Sequence, residues 1–303
     1  MKIDDLRALV AFAEQGSVSR AAQALHISQP ALTRRIQRLE SSMGHELLDR
    51  SSNPPRLSAF GIRVCERARA VLRETASLRD LAEGGGEPKG TLRIGAVQSI
   101  SDAVSVDAVR VLKQRFARLQ LEMRSDLSVE LIRKVQHGEL DAAAVMLPPG
   151  APLPPNLVGT RIGIQRVSVV SGRRYPIAST VTLAQLANHS WVLYSAGSCV
   201  CRLALQRALE QQGYELRVAV SEHGLEHQLA LVSAGAGLGC ATEAALCNSR
   251  HRNKLRRIQV KELDLRFEVW AIQPLHTGPL ATPIRHFVEL VAKHFGPRSL
   301  RRD

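Results

Sequence analysis

Gln29, Thr33, Arg34, Gln37 and Arg38 fall on one side of a helix wound through residues 29–43, and Leu32, Ile36, Leu39 and Met43 line the other. An arginine fork pairs with O6 and N7 of guanine, and a glutamine amide pairs with N6 and N7 of adenine. That chemistry reads base edges in the major groove of duplex DNA. Residues near the N-terminus of such a helix reach deepest. Gln29, Pro30, Thr33 and Arg34 are therefore expected at bases and Arg35 and Arg38 at phosphates, with Ser28 at the helix start. A solvated polar face is the plainer reading of one amphipathic helix standing alone.

Thiols form the second constellation. Cys65, Cys199, Cys201, Cys240 and Cys247 are an odd set, which argues against a disulfide framework. Cys199 and Cys201 make a C-x-C pair. One reading is a thiol switch or a soft-metal site, and the plainer one is two small buried hydrophobes at a helix start.

The elements that position the first constellation are legible from spacing. Leu6, Leu9, Val10 and Ala13 predict a helix from Asp4 to Glu14, closed by Gly16. Ser17 is expected to cap a second helix, whose Val18, Ala21, Ala22 and Leu25 form one face. The two alanines allow close approach of another helix. His26 and Ile27 form a turn, Ser28 caps the third helix, Pro30 suits its first turn, and Gly44 ends it. Two capped helices, a tight turn and a basic outer face together make a helix-turn-helix.

The run AFAEQGSVSRAAQALHISQPALTRRIQRLESSMGHELLDR resembles the N-terminal winged helix-turn-helix of LysR-type transcriptional regulators. The pieces S-x-x-x-A-A-x-x-L, S-Q-P-A-x-T-x-x-I-x-x-L-E and G-x-x-L-L-x-R-x-x-x-P-x-x-L-S fall at the family's spacings, and the resemblance runs through the whole chain. Leu48 departs from it, since the family more often has Phe there. The resemblance implies a wing between Leu47 and Leu57, with Arg50 and Arg56 reaching phosphate or the minor groove; two exposed loop arginines are the alternative. Val64, Val71 and Leu78 repeat every seven residues, with Ala68, Leu72 and Ala82 on the same side. This suits either a coiled-coil seam or one long packed helix, and the resemblance selects a dimerising linker.

Gly84–Gly86, Pro88 and Gly90 mark a hinge. Strands are expected at Leu92–Ala96, Leu119–Met123, Ala142–Val145, Val167–Val170, Trp191–Leu193, Val218–Val220 and Phe267–Ile272, and helices at 102–117, 127–138, 199–212, 224–235 and 281–295. Strand–helix alternation implies an α/β fold with parallel sheets. The resemblance adds two subdomains similar to periplasmic solute-binding proteins. The fold class is thus α+β multidomain: a winged helix-turn-helix (1–58), a linker helix (59–83), a hinge (84–90) and a periplasmic-binding-protein-like α/β domain (91–303). Its subdomain I takes residues 91–164 and 265–303, and subdomain II takes 165–264.

Such a fold leaves a cleft at strand ends and helix N-termini, suited to a small polar or anionic effector. By matching position, Gln98, Ser99, Ser128, Ser195, Gly197 and His223 are the effector-site candidates; singly, each also reads as a cap or turn residue. Asp126 and Glu222 disfavour a carboxylate ligand. Prolines that the family often carries after the first strand and before the second are absent.

The formal net charge is +13, which suits a nucleic-acid partner. Residues 1–83 hold 13 basic and 10 acidic side chains, against 28 and 18 in residues 84–303, so most of the excess lies outside the reading head. Arg250, Arg252, Lys254, Arg256 and Arg257 form one cluster and Arg298, Arg301 and Arg302 a tail, either solvated surface or a hold on wrapped DNA or an anionic effector. The start of the chain is charged and no apolar run spans a membrane, so a cytoplasmic protein is expected. GAGLG at Gly235–Gly239 follows a helix and lacks dinucleotide spacing, and no nucleophile–base or metal-hydrolase motif occurs, so no enzyme, cofactor or resident metal is expected. The resemblance implies promoter DNA, a small effector and RNA polymerase as partners, in a homodimer or homotetramer. Peroxide-sensing members of the family space their cysteines differently around the helix.

Overall fold

A computed structural model describes residues 1–82, 87–194 and 199–296. Gly84–Gly86, Ser195, Gly197 and the arginine tail lie outside the described residues.

The head follows its apolar spacing. Helix α1 (Ile3–Gln15) ends at Gly16 and α3 (Gln29–Met43) at Gly44, with φ of 62° and 71°, a left-handed geometry that glycine adopts without strain. Between them lies α2 (Val18–Ala24). Ser28 Oγ accepts from Ala31 N (3.3 Å), as a cap should. Ser17 departs from expectation: it is extended at the start of α2, but its hydroxyl makes no capping bond. Leu9, Phe12, Ala21, Leu32, Ile36 and Leu39 are buried, and each large one contributes roughly 1.5–3 kcal/mol. Ala21 and Ala22 let the helices cross closely. A short hairpin of β1 (Leu48–Asp49) and β2 (Arg56–Leu57) forms the wing. Leu48 is buried with Phe12 and Ile36, so the smaller side chain still seals the wing onto the helices.

Helix α4 (Ala59–Ala82) is about 36 Å long at 1.5 Å per residue. Ser58 Oγ caps it by accepting from Gly61 N (2.9 Å). The heptad positions divide. Val64, Ala68 and Leu72 pack on the head, whereas Val71 (46 % exposed) and Leu78 (67 %) face solvent. The side chain of Ala82 lies outside the described part.

The remainder is a mixed sheet rather than the all-parallel one expected. Strands β3 (Gly90–Ala96), β4 (Leu119–Ser125) and β5 (Ala142–Leu147) are parallel, linked by α5 (Gln98–Arg115) and α6 (Ser128–Gln136). Then β6 (Leu157–Gly172) runs on for 16 residues. The elements β7 (Thr180–Val181), α7 (Leu183–Leu186), β8 (Trp191–Tyr194), α8 (Val200–Glu210), β9 (Val218–Glu222), α9 (Leu225–Ser233), β10 (Gly239–Thr242), α10 (Glu243–Asn248) and β11 (Leu255–Val260) follow. The chain returns by β12 (Leu265–Pro274) and ends in α11 (Ala281–Phe295). Antiparallel to β6, β12 covers Leu157 to Val167, then β10 pairs one edge at 167–170 and β11 the other at 169–172. One strand thereby crosses between two lobes, and both crossing strands are antiparallel because the chain goes out and comes back. The parallel β8–β9 pair joins the chain just before β10 through a bridge of Trp191 with Leu238. Helix α5 starts four residues before the expected position, because Ile100, Val104, Ala108 and Leu112 make one buried stripe from its first turn.

Candidate DNA interface and effector cleft

Burial of Leu32, Ile36 and Leu39 turns the opposite face of α3 outward. Ser28, Gln29, Pro30 and Arg34 are exposed there, and Thr33 and Arg35 are half-buried. Gln29 Nε2 donates to Ser19 Oγ (3.0 Å), tying α3 to α2, and Arg34 Nε donates to the Pro30 carbonyl (3.3 Å). Arg38 stands differently: its Nε donates to both oxygens of Asp5 (3.0 and 3.1 Å), and its NH2 also binds Asp5. The wing arginines differ too. Arg50 pairs with Glu40 (2.7 Å) and Glu46 (3.9 Å), while Arg56 is exposed without an ion pair among the described residues.

Five helices begin around one cavity of about 110 Å³. It is lined by Val97, Gln98 and Ser99 at α5, Asp126, Leu127 and Ser128 at α6, and Cys199 to Arg202 at α8. Leu225 and Gln228 of α9 and Thr242 before α10 complete the ring, with Met146, Val167, Leu193, Tyr194, Cys240 and Ala241 from the sheet. Converging helix N-termini favour negative charge at the centre. Two anions already answer that field. Asp126 accepts from Leu127 N (2.8 Å) and pairs with Lys134; burial opposes its charge, but these bonds hold its carboxyl below the usual range. The Cys199 thiol is lowered to about 6, chiefly by the Cys201 S–H, against burial and with help from the N–H groups of Arg202 and Cys201.

Ser128 is buried, and its hydroxyl donates to the Met146 carbonyl (2.7 Å) and accepts from Met146 N (3.1 Å). It locks α6 to β5. Gln98 Nε2 is engaged with Asp102 (2.6 Å), and Ser99 Oγ meets Met146 Sδ at 3.7 Å. His223 is exposed beside Tyr194 (ring centroids 6.3 Å apart) and does not line the cavity. Among the described residues no group of three or more His, Cys, Asp or Glu is placed to hold a metal ion.

Residues 3–62 match the family model described as the bacterial regulatory helix-turn-helix protein, lysR family, and residues 85–296 match the LysR substrate binding domain. The chain belongs to the LysR family. A hydrogen peroxide-inducible genes activator of Pectobacterium carotovorum is 33% identical over 148 residues, 48% of this chain and 49% of that protein. The chain thus spans about half the length of that relative. A protein of the same description from Haemophilus influenzae is 28% identical over 261 residues, 85% of each chain. A full-length OxyR variant from Pseudomonas aeruginosa superposes with a TM-score of 0.78 at 19% identity, covering 96% of this chain and 98% of that one. LysR-family proteins and these relatives are transcriptional regulators, not enzymes.

In this LysR-family chain, spacing brings the α3 residues to one face, and matching position with the family brings Gln98, Ser99 and Ser128 to one cavity. It does not bring His223 there, and it misses Met146, Gln228, Cys240 and Thr242 as lining. Cys240 carried a usable signal, a thiol just after the glycine turn into a strand. The expected basic cluster is not one free patch. Arg250 pairs with Glu226 (3.5 Å), Arg257 with Glu243, Arg252 with the Cys247 carbonyl (3.3 Å), and Arg256 with the carbonyls of Tyr175 (3.2 Å) and Ile177. Alternation along β11 sends Arg256 and Arg257 to opposite faces. No described helix is long and apolar enough to cross a membrane.

Proposed function

We propose that this LysR-family chain is a sequence-specific DNA-binding regulator of transcription in the cytoplasm, without enzymatic activity. Ser28, Gln29, Pro30, Thr33 and Arg34 face bases, Arg35 and Arg56 face phosphate, and Arg38 and Arg50 act mainly by holding α3 and the wing in place. Residues 1–58 read DNA, 59–83 pair two subunits, 84–90 join the parts, and 91–303 hold the effector between lobes 91–164/265–303 and 165–264. A homodimer or homotetramer places two reading helices on paired half-sites, and RNA polymerase is the partner downstream. The exposed N-terminal end of α3, backed by the buried Leu32–Ile36–Leu39 stripe, carries this reading. The effector is small and polar, and neutral rather than anionic, because Asp126 and Cys199 already supply negative charge. It acts by binding two arrangements of the lobes unequally. Competition binding of promoter fragments against random duplex at fixed salt tests the proposal; equal affinity defeats it.

A second reading is favoured by the Cys199 thiolate inside the cavity and by relatives described as hydrogen peroxide-inducible activators. Here the effector is an oxidant and the signal is thiol chemistry. Promoter binding measured before and after peroxide, and again after thiol reduction, tests it; a response in neither step removes it.

A further inference from the structure

Sulfur is concentrated in the cleft. Met146, Cys199, Cys201 and Cys240 line the one cavity, and they are four of the nine sulfur-bearing residues of the chain (5 Cys and 4 Met). Val97, Leu127, Val167 and Leu193 make much of the remaining wall. At about 110 Å³ the space admits a molecule of only a few heavy atoms. The three thiols are unequal. Cys199 is lowered to about 6, so it is largely thiolate near neutrality. Cys201 is raised by donating its S–H to Cys199 and by burial, and Cys240 by burial. One nucleophile therefore faces two protonated thiols, an arrangement for reaction rather than for metal chelation.

We propose that Cys199 attacks a small hydroperoxide in this cavity and that Cys201, already hydrogen-bonded to it, resolves the product as a Cys199–Cys201 disulfide. This rests on the second reading above and adds the identity of both thiols. The Cys199 sulfur attacks one peroxide oxygen, the O–O bond breaks, and the departing hydroxide or alkoxide takes a proton from water. Cys199 becomes a sulfenic acid, oxidised by two electrons, and the peroxide is reduced to water or alcohol. Cys201 then attacks the sulfenic sulfur; the S–S bond forms, the S–O bond breaks, and hydroxide leaves with the Cys201 proton as water.

The fold gives that disulfide a consequence. Cys199 precedes α8 and Cys201 is its second residue. Cys199 is extended and Cys201 lies in the first helical turn, so drawing the two sulfurs from hydrogen-bond to covalent distance pulls on that turn. Arg202 follows directly, and its NH1 donates to the Tyr194 carbonyl (3.0 Å) and meets Ser221 Oγ (3.4 Å). That pull bears on this tie between α8 and the β8–β9 pair. Cys240 is a poorer partner, because the β10–β6 ladder and Gln228 Nε2 on its carbonyl (3.3 Å) hold its backbone.

The test uses the full-length reduced protein, one equivalent of hydrogen peroxide, rapid alkylation and tryptic mass mapping. Cys199 and Cys201 fall in one peptide, 175–202, and Cys240 and Cys247 in another, 218–250. We expect peptide 175–202 to lose two hydrogens and to regain them with dithiothreitol. In Cys201→Ser, dimedone should label Cys199 instead, and Cys201→Ala should agree if serine perturbs folding, judged by circular dichroism. A cross-link between the two peptides, or dimedone labelling of Cys199 in the unsubstituted protein without an internal disulfide, overturns Cys201 as the resolving thiol and leaves the redox reading standing. A Cys199 that stays reduced overturns both.

Discussion

Arg38 of α3 closes its guanidinium on Asp5 of α1, 33 positions away in the chain, through three hydrogen bonds. The Asp5 side chain is 0 % exposed. Helix α3 is thereby anchored to the scaffold by a charge on its own flank. The pair fixes the angle at which Thr33 and Arg34 are presented.

Burial pushes the Asp5 carboxyl up, but the Arg38 hydrogen bond and the Lys2 N–H outweigh it and hold the group below the usual carboxylate range. A lowered folded value stabilises the folded state above the unfolded value, and that stabilisation is lost as pH falls through the folded one. Asp5→Asn should therefore lower the melting temperature by several degrees at neutral pH, and the gap to wild type should close in acid below about pH 4. Thermal melts across pH check this; equal melting at pH 7 would remove the anchoring role.

Base contact is tested separately. Thr33→Ala and Arg34→Ala should each weaken specific binding by roughly 1–3 kcal/mol with unchanged melting temperature. Arg35→Ala should instead weaken all sequences alike and reduce the salt slope by about 1. Fluorescence anisotropy titrations at several salt concentrations distinguish the two outcomes, and operator affinity retained by both Thr33→Ala and Arg34→Ala would defeat the assignment.

Ser128 should behave as a structural residue. Removing its hydroxyl orphans the amide and carbonyl of Met146 between α6 and β5. Ser128→Ala should cost about 1–3 kcal/mol in denaturant unfolding. If it altered effector affinity with stability unchanged, the hydroxyl would be a ligand contact after all.

Val71 and Leu78 are exposed on the same flank of α4. Val71→Glu with Leu78→Glu should shift sedimentation toward the monomer and lower operator affinity at least tenfold, while circular dichroism stays the same. Unchanged sedimentation would place subunit pairing elsewhere.

Much of the head was legible because its signals are local. Caps, closing glycines and apolar repeats at three and four residues act within one or two turns, so α1, α3 and the outer face of α3 followed from spacing. Ser17 is the exception, since a capping residue type does not oblige its hydroxyl to bond. The cleft was legible in part, because strand-to-helix junctions mark where helix N-termini gather. His223 was misplaced by the same rule. It lies at such a junction, but its ring turns out beside Tyr194.

By itself the sequence determined the helices of the head and the alternation of strands and helices in the larger domain, since each rests on periodicity between near neighbours, whereas the two lobes came from the family resemblance. Only the tertiary structure decided that Arg38 serves Asp5, that the Ser128 hydroxyl is consumed by β5, and that Met146 and Cys240 line the same cavity as Cys199. The Arg38–Asp5 pair depends on how α3 packs on α1, and Cys240 reaches the cavity because β10 returns antiparallel to β6 from far along the chain. No local spacing carries the register of that return.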